Sequence, residues 1–157
     1  MDEISIARAV HVLAVVHWIG GVSLVTLVLL PSLMQSIPAA ERLNLFERIE
    51  GRFARQAKIS TVLAGLTGFY MTQRLDAWDR LSEPSFWWMH AMIAVWAIFT
   101  FVLFIAEPLF LHRWVRDRAM RDPEGTLLLV WRMHVLLLSV SFVTVAGAVL
   151  GAHGALG

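Results

Sequence analysis

Five of the six histidines in this 157-residue chain stand in or beside long apolar stretches. His11 and His17 lie in a run near the N-terminus, His90 opens a second run, and His134 and His153 bracket a third. Imidazole binds metal ions and carries protons near neutral pH. An ionisable side chain inside a membrane span is costly, so it is a functional-site hypothesis by default. These histidines therefore point to cofactor, metal or proton chemistry within a membrane.

The apolar stretches that position the histidines are long enough to be membrane helices. A bilayer core needs about 20 apolar residues per helix, and we predict spans at about residues 6–30, 53–73, 86–107 and 132–152. Short second and third connections favour an up-down antiparallel arrangement. The predicted fold is therefore all-α, a four-transmembrane-helix bundle that forms one domain over residues 1–157.

The first connection predicts a short cytoplasmic amphipathic helix that continues into the second span. Its apolar residues at helical spacing are Phe46, Ile49 and Phe53. Pro31 is expected to end the first span, because proline lacks the backbone N–H that continues a helix. Asp122 followed by Pro123 is a helix-start signal, and it predicts the beginning of the last helix there.

Composition and charge indicate an inner-membrane protein. The chain is 58% hydrophobic and 16% charged, well below the roughly 25% charged share of soluble domains. Ten of its thirteen Lys and Arg residues lie at 42–58 and 113–132, so the positive-inside rule places both termini on the outer, periplasmic side. The first run is expected to be a retained helix rather than a cleaved signal. The absence of cysteine excludes thiolate sites, and the dispersed basic residues argue against nucleic-acid binding.

His11 and His90 are expected at matching depth near the outer face, on helices one and three. These helices are diagonal partners in an up-down bundle, and two neutral imidazoles in that relation can hold haem b as axial ligands. Arg8 lies one turn outward of His11, where it could meet a haem propionate, and Trp18 follows along the same face. The alternative is structural, with each imidazole at headgroup level or bonded to a backbone carbonyl.

The remaining histidines leave other sites open. Together with His11 and His90, His153 could complete an outward-facing site of three imidazoles for copper, or it is simply a terminal residue. His17 either packs in the bundle or acts as a ligand or proton carrier. A polar group on the cytoplasmic side is either an ordinary salt bridge between spans three and four or a proton relay. That group comprises Glu107, Arg132 and His134.

Three segments resemble known membrane proteins. The segment ARAVHVLAVVHWIGG, with His11 and a Trp-Ile-Gly-Gly run, resembles the opening helix of CopD-like and HemJ-like proteins. GRFARQAKISTVLAGLTGFY resembles the second helix of the CopD type. FWWMHAM resembles the Trp-x-His-x-Lys pattern that opens the third helix of HemJ-like proteins, with Trp88 and His90 matching and Met92 in place of the lysine.

The resemblance implies a function as well as a bundle. HemJ-like proteins are haem-b-binding protoporphyrinogen oxidases, and CopD-like proteins are associated with copper uptake or resistance. The matching ligand positions are His11 and His90, whereas Met92 implies a relative rather than that oxidase. We therefore expect a haem-b electron-transfer protein that works with a quinol or a partner redox protein. A copper-handling protein and a non-catalytic subunit of a membrane complex are the alternatives, and a homo-oligomer is left open.

Overall fold

The computed structural model describes residues 2–155, except for the side chains of residues 39 and 40. Within this part of the chain every regular element is a helix, which confirms the all-α prediction. A 3₁₀ turn, Asp79–Ser82, lies in the connection between the second and third long helices. The four long helices are α1 (Glu3–Ser36), α2 (Ala39–Arg74), α3 (Pro84–Arg121) and α4 (Pro123–Ala152).

Helix α1 continues through Pro31 to Ser36, so the expectation that Pro31 ends the first span is wrong. The helix widens into a π-helical segment at Val25–Leu29, in which each N–H reaches back five residues. Pro31 has no N–H to donate, and the carbonyl that this leaves free is that of Thr26. The Trp131 indole N–H from α4 donates to that carbonyl at 3.2 Å. A neighbouring helix thus replaces the missing hydrogen bond.

Helix α3 also extends further than the sequence indicates. A π-helical segment, Val102–Leu111, contains both Glu107 and Pro108, and the helix then runs on to Arg121. Helix α4 begins as predicted: the Asp122 carboxylate accepts the Gly125 N–H at 2.9 Å, and proline occupies the first turn.

The stretch predicted as an amphipathic interfacial helix is the first part of α2, which is one continuous helix of 36 residues. Phe46 is buried there in a cluster with side chains from α1 and α4 rather than lying on the surface. The stretch continues without a break into residues 53–73, as predicted.

Helices that follow one another in the chain contact each other in opposite register. Between α1 and α2 the contacting pairs are His11–Ala64, His17–Ser60 and Gly21–Phe53. Between α2 and α3 they are Glu47–Arg116, Lys58–Glu107 and Thr61–Trp96. Between α3 and α4, Trp87 contacts Gly147, and further along both helices Glu107 and His134 line the same cavity. The largest core cluster takes residues from all four helices, including Trp18, Ala57, Phe99 and Leu138.

Among residues 2–155, three helices are long and apolar enough to cross a membrane, namely α1, α3 and α4. Helix α2 differs because its first half carries many charges, as the sequence 41–58 shows. The protein therefore has the character of a multi-pass membrane protein.

Candidate functional site

His11 lies in the contact between α1 and α2, half-buried, with its ring held by the second helix. Its Nδ1 lies 3.0 Å from the Ala64 carbonyl oxygen and 3.0 Å from Thr67 Oγ1. The Thr67 hydroxyl donates to the Leu63 carbonyl at 2.6 Å, so its oxygen accepts from His11. Because a carbonyl only accepts, the proton of the neutral imidazole resides on Nδ1. Nε2 is therefore the unprotonated nitrogen, and its lone pair is available to bind a metal.

The His11 ring packs beside Gly68, which has no side chain. A Cβ placed on Gly68 would lie 3.4 Å from His11 Cε1, so a larger side chain there would press on the ring. Carbonyl-bound Nδ1 with free Nε2 is the arrangement that orients metal-ligating histidines in general.

His90 is exposed on α3 and is bound by backbone carbonyls at both nitrogens. Nδ1 lies 3.1 Å from the Phe86 oxygen, and Nε2 lies 2.9 Å from the Leu81 oxygen. Both carbonyls are acceptors, so a neutral ring donates to only one of them. For His90 to bind a metal through Nε2, it must release the Leu81 carbonyl.

The two histidines lie at one end of the molecule and at a similar level. Trp96 donates to the Thr61 carbonyl, and His90 lies six residues before it, about 9 Å nearer the α2–α3 connection by helical rise. His11 contacts α2 at Ala64 and Thr67, one turn beyond Thr61 in the same direction. The rings nevertheless have separate surroundings, and the His11–His90 pair stays a prediction.

The other outer residues of the predicted site are dispersed. Arg8 is exposed one turn from His11. His17 is exposed, and its Nδ1 hydrogen-bonds to Ser60 Oγ at 2.9 Å. His153 ends α4, where its Nδ1–H donates to the Val149 carbonyl at 2.7 Å. Across residues 2–155, no group of three or more His, Asp or Glu side chains is placed to hold a metal ion. The three-histidine copper site also stays a prediction.

Trp18 is 3% exposed and belongs to the core rather than to the surroundings of His11. Its ring packs edge-on against Phe99, with 4.8 Å between ring centroids and an interplanar angle of 88°. The indole Nε1 has no hydrogen-bond partner among the described residues, although it is buried. An unpartnered buried donor is uncommon in folded proteins and needs an explanation.

Glu107 forms its salt bridge with a different residue from the one expected. Glu107 pairs with Lys58 of α2, with 3.3 Å between Oε2 and Nζ, whereas Arg132 is exposed. The salt bridge therefore ties α2 and α3 together rather than the third and fourth predicted spans. The ammonium is within ion-pair distance but is not aligned for a hydrogen bond, so Glu107 Oε2 keeps acceptor capacity.

An internal cavity of about 110 Å³ brings together acidic and imidazole groups from three helices. Glu50 of α2, Glu107 of α3 and His134 of α4 all line it, and Trp18 of α1 completes the wall. The His134 Nδ1–H donates to the Val130 carbonyl at 2.9 Å. We call Glu50, Lys58, Glu107 and His134 the internal polar cluster.

Glu50 precedes the predicted second span, and its surroundings favour the neutral acid. Burial raises the pKa of Glu50 to about 7, Glu107 and Glu47 add to the increase by repulsion, and Lys58 opposes it. This carboxyl therefore gains or loses a proton near neutral pH.

Sequence reasoning identified Glu107 and His134 but missed Glu50 and Lys58. The signal was available for Glu50, which lies four residues after Phe46 and therefore on the same helix face. Phe46 and Ala54 on that face are both buried. This spacing therefore predicts that the Glu50 carboxylate is buried. Lys58 lies four residues after Ala54 and therefore on the same face, but its pairing with Glu107 depends on the packing of α3.

Comparisons with known proteins give no relative for this chain: no protein-family model, curated protein or solved structure matches it.

Proposed function

We propose that the chain is a four-span inner-membrane protein with an up-down bundle and both termini outside. The opposite registers of consecutive helices support this arrangement. Helix α2 supports a fourth crossing because its second half exposes large apolar side chains, as the lipid-facing side of a span does. These are Ile59, Val62, Leu63, Leu66 and Phe69. The excess of Lys and Arg in the first and third connections supports their cytoplasmic location.

Within this bundle we propose a b-type haem near the outer face, with a role in electron transfer to or from a quinol or a redox protein. The observation that carries this proposal is the hydrogen bonding of His11, whose Nδ1–H is held by the Ala64 carbonyl while Nε2 is left unprotonated. A bound haem supplies one-electron transfer, while the chain supplies ligation, orientation and charge.

His90 is the proposed second ligand. It fits in donor type and in level, and once its proton lies on Nδ1 the ring can donate to the Phe86 carbonyl as His11 donates to the Ala64 carbonyl. It does not fit in its present hydrogen bonding, because Nε2 is bound to the Leu81 carbonyl. We expect ligation to replace that bond. Arg8, exposed at the same end, is the proposed partner of a propionate.

Absorbance spectra of the detergent-purified protein test this proposal. A Soret band that sharpens and shifts on dithionite reduction, together with an α band, is expected for the wild type. His11→Ala and His90→Ala should each lower the haem content by at least about tenfold. His112→Ala is the matched control, since His112 is an exposed histidine at the other end of α3, and it should keep the haem.

The same sample separates the alternatives. Full haem content in both His11→Ala and His90→Ala contradicts the ligand assignment. A colourless protein with stoichiometric copper, lost in His11→Ala, supports the copper-handling alternative. A protein with neither haem nor copper, whose His11→Ala variant is only less stable, leaves the role of a non-catalytic subunit.

A further inference from the structure

The internal polar cluster lies apart from the proposed haem ligands and has no role in holding them. Three of its members line the cavity, and the fourth, Lys58, pairs with Glu107. At about 110 Å³ the cavity has room for on the order of three water molecules. Its apolar wall includes Phe53 and Phe99, so any charge inside is poorly solvated and its protonation depends strongly on neighbouring charges.

A second, independent feature belongs to the wall of the same cavity. Trp18 is 3% exposed and lines it, and its Nε1–H has no partner. Burying an N–H donor without an acceptor destabilises the folded state. A water molecule or a carboxyl oxygen in the cavity is the kind of acceptor that this donor lacks.

We propose that the internal polar cluster is a proton-binding site, at which the Glu50 carboxylate takes up one proton. The proton comes from the side of the membrane on which the Lys- and Arg-rich first and third connections lie. An O–H bond forms at Glu50 at the expense of an O–H bond of hydronium or water on that side. On release, the proton passes to a water molecule in the cavity. No oxidant or reductant takes part, so the site can serve any proton-coupled step.

A surface hollow lies one turn of α2 away from Glu50. Glu47 lies one turn before Glu50 and lines a surface hollow together with Arg48 and Arg116. Arg116 donates from Nε and Nη2 to the Glu47 carboxylate, at 3.0 and 2.7 Å. This surface hollow is the proposed route by which a proton reaches Glu50.

Charged neighbours set the proton affinity of Glu50 from three helices. With Glu50 and Glu107 ionised, Lys58 charged and His134 neutral, the internal polar cluster carries one net negative charge. One proton neutralises it, which makes protonation favourable in an apolar cavity. The groups that face Glu50 are Glu47 and Lys58 on α2, Glu107 on α3 with Arg116 behind Glu47, and His134 on α4. The residues of α1 that line the cavity, Trp18, Val22 and Val25, are not titratable.

Infrared difference spectroscopy across a pH titration measures this proton directly. The carbonyl band of a protonated carboxylic acid should appear in the wild type with a midpoint near 7 and be absent in Glu50→Gln. Glu50→Asp should keep a titrating band, which separates loss of the carboxyl from loss of the fold. Glu41→Gln, at an exposed glutamate on the same helix, is the matched control and should leave the band unchanged.

The neighbouring charges give two shifts of opposite sign. Lys58→Met should raise the midpoint and Glu107→Gln should lower it, each by roughly tenfold in proton affinity, about one pH unit. If both variants titrate as the wild type does, Glu50 does not sense the cluster and the proposal is wrong.

Two further outcomes overturn the proposal. A midpoint near 4.3, the ordinary value for glutamate, means that Glu50 is solvated. A midpoint that falls as choline is replaced by Na⁺ at constant ionic strength means that the site binds Na⁺ rather than a proton alone. The carboxyl band does not depend on bound haem. A negative result for Glu50 therefore does not contradict the haem proposal, and loss of haem in His11→Ala does not contradict the proton-site proposal.

Discussion

At the scale of single residues, hydrogen bonding assigns different chemistry to the histidine and carboxyl groups. The carbonyl at His11 Nδ1 fixes the position of its proton and leaves one nitrogen with a free lone pair. Glu50 is instead surrounded by apolar side chains and two other carboxylates. The first residue is suited to hold a metal and the second to hold a proton.

Glu50 makes stability depend on pH. The folded protein holds its proton up to about pH 7, whereas an unfolded chain releases it near 4.5. The stabilisation is therefore fully present below about 4.5 and is lost as pH rises through about 7. Between pH 5 and 8 we expect Glu50 to cost the wild type on the order of 2 kcal/mol, since partial exposure reduces the full effect.

The measurement is the thermal unfolding midpoint in detergent, followed by tryptophan fluorescence. Glu50→Gln should have a smaller loss of midpoint between pH 5 and 8 than the wild type, and it should be the more stable protein at pH 8. Glu41→Gln should follow the wild type. Parallel pH profiles for wild type and Glu50→Gln speak against a buried, neutral Glu50.

Residue-level prediction from the sequence succeeds where a signal is local. The Asp122 cap is encoded by two adjacent residues and is confirmed. The Glu107–Lys58 pair joins residues 49 positions apart, so spacing within one helix gives no information about it. Arg132 is the partner that the sequence suggests, because it and Glu107 lie at the predicted cytoplasmic ends of the fourth and third spans.

At the scale of the helices, two proline-containing helices persist because of what packs beside them. Pro31 and Pro108 both lie in or directly after π-helical segments. The sequence predicts that the first span ends at Pro31 and that the third ends near Glu107, whereas both helices continue past their prolines. For Pro31 the compensating donor is the Trp131 indole from another helix. A rule based on one helix cannot include that donor.

Close approach of α1 and α2 rests on Gly21. A Cβ added there would overlap the ring of Phe53, whereas one added to the adjacent Gly20 would meet nothing within 4 Å. Gly21→Ala should therefore destabilise the bundle by about 1–3 kcal/mol through overpacking. Gly20→Ala should stabilise it by up to about 1 kcal/mol, because alanine is the better helix former.

This neighbouring pair is its own control, since both changes add one methyl group to the same helix. Urea or thermal unfolding in one detergent gives the comparison. Equal midpoints for the two variants, or a less stable Gly20→Ala, mean that α1 and α2 do not meet at Gly21.

At the scale of the whole molecule, the apolar runs predict the number and type of long helices but not the share of each that is covered by protein. Ile59 and Leu66 are each 64% exposed on α2, although this helix is less apolar overall than the other three. Its charges are concentrated in the half that precedes Ile59. Average composition therefore understates how well the second half of α2 suits a lipid environment.

The number of crossings can be decided with single cysteines, because the chain has none of its own. Ser36→Cys, Ser82→Cys and Met120→Cys place one thiol in each connection, at exposed positions. With four spans, an impermeant maleimide added to intact cells should label only position 82, and permeabilised cells should be labelled at all three. With α2 outside the membrane, positions 36 and 82 share one side and position 120 lies opposite. The four-span proposal requires 82 to differ from both, since α2 and α3 each reverse the side on which the chain emerges.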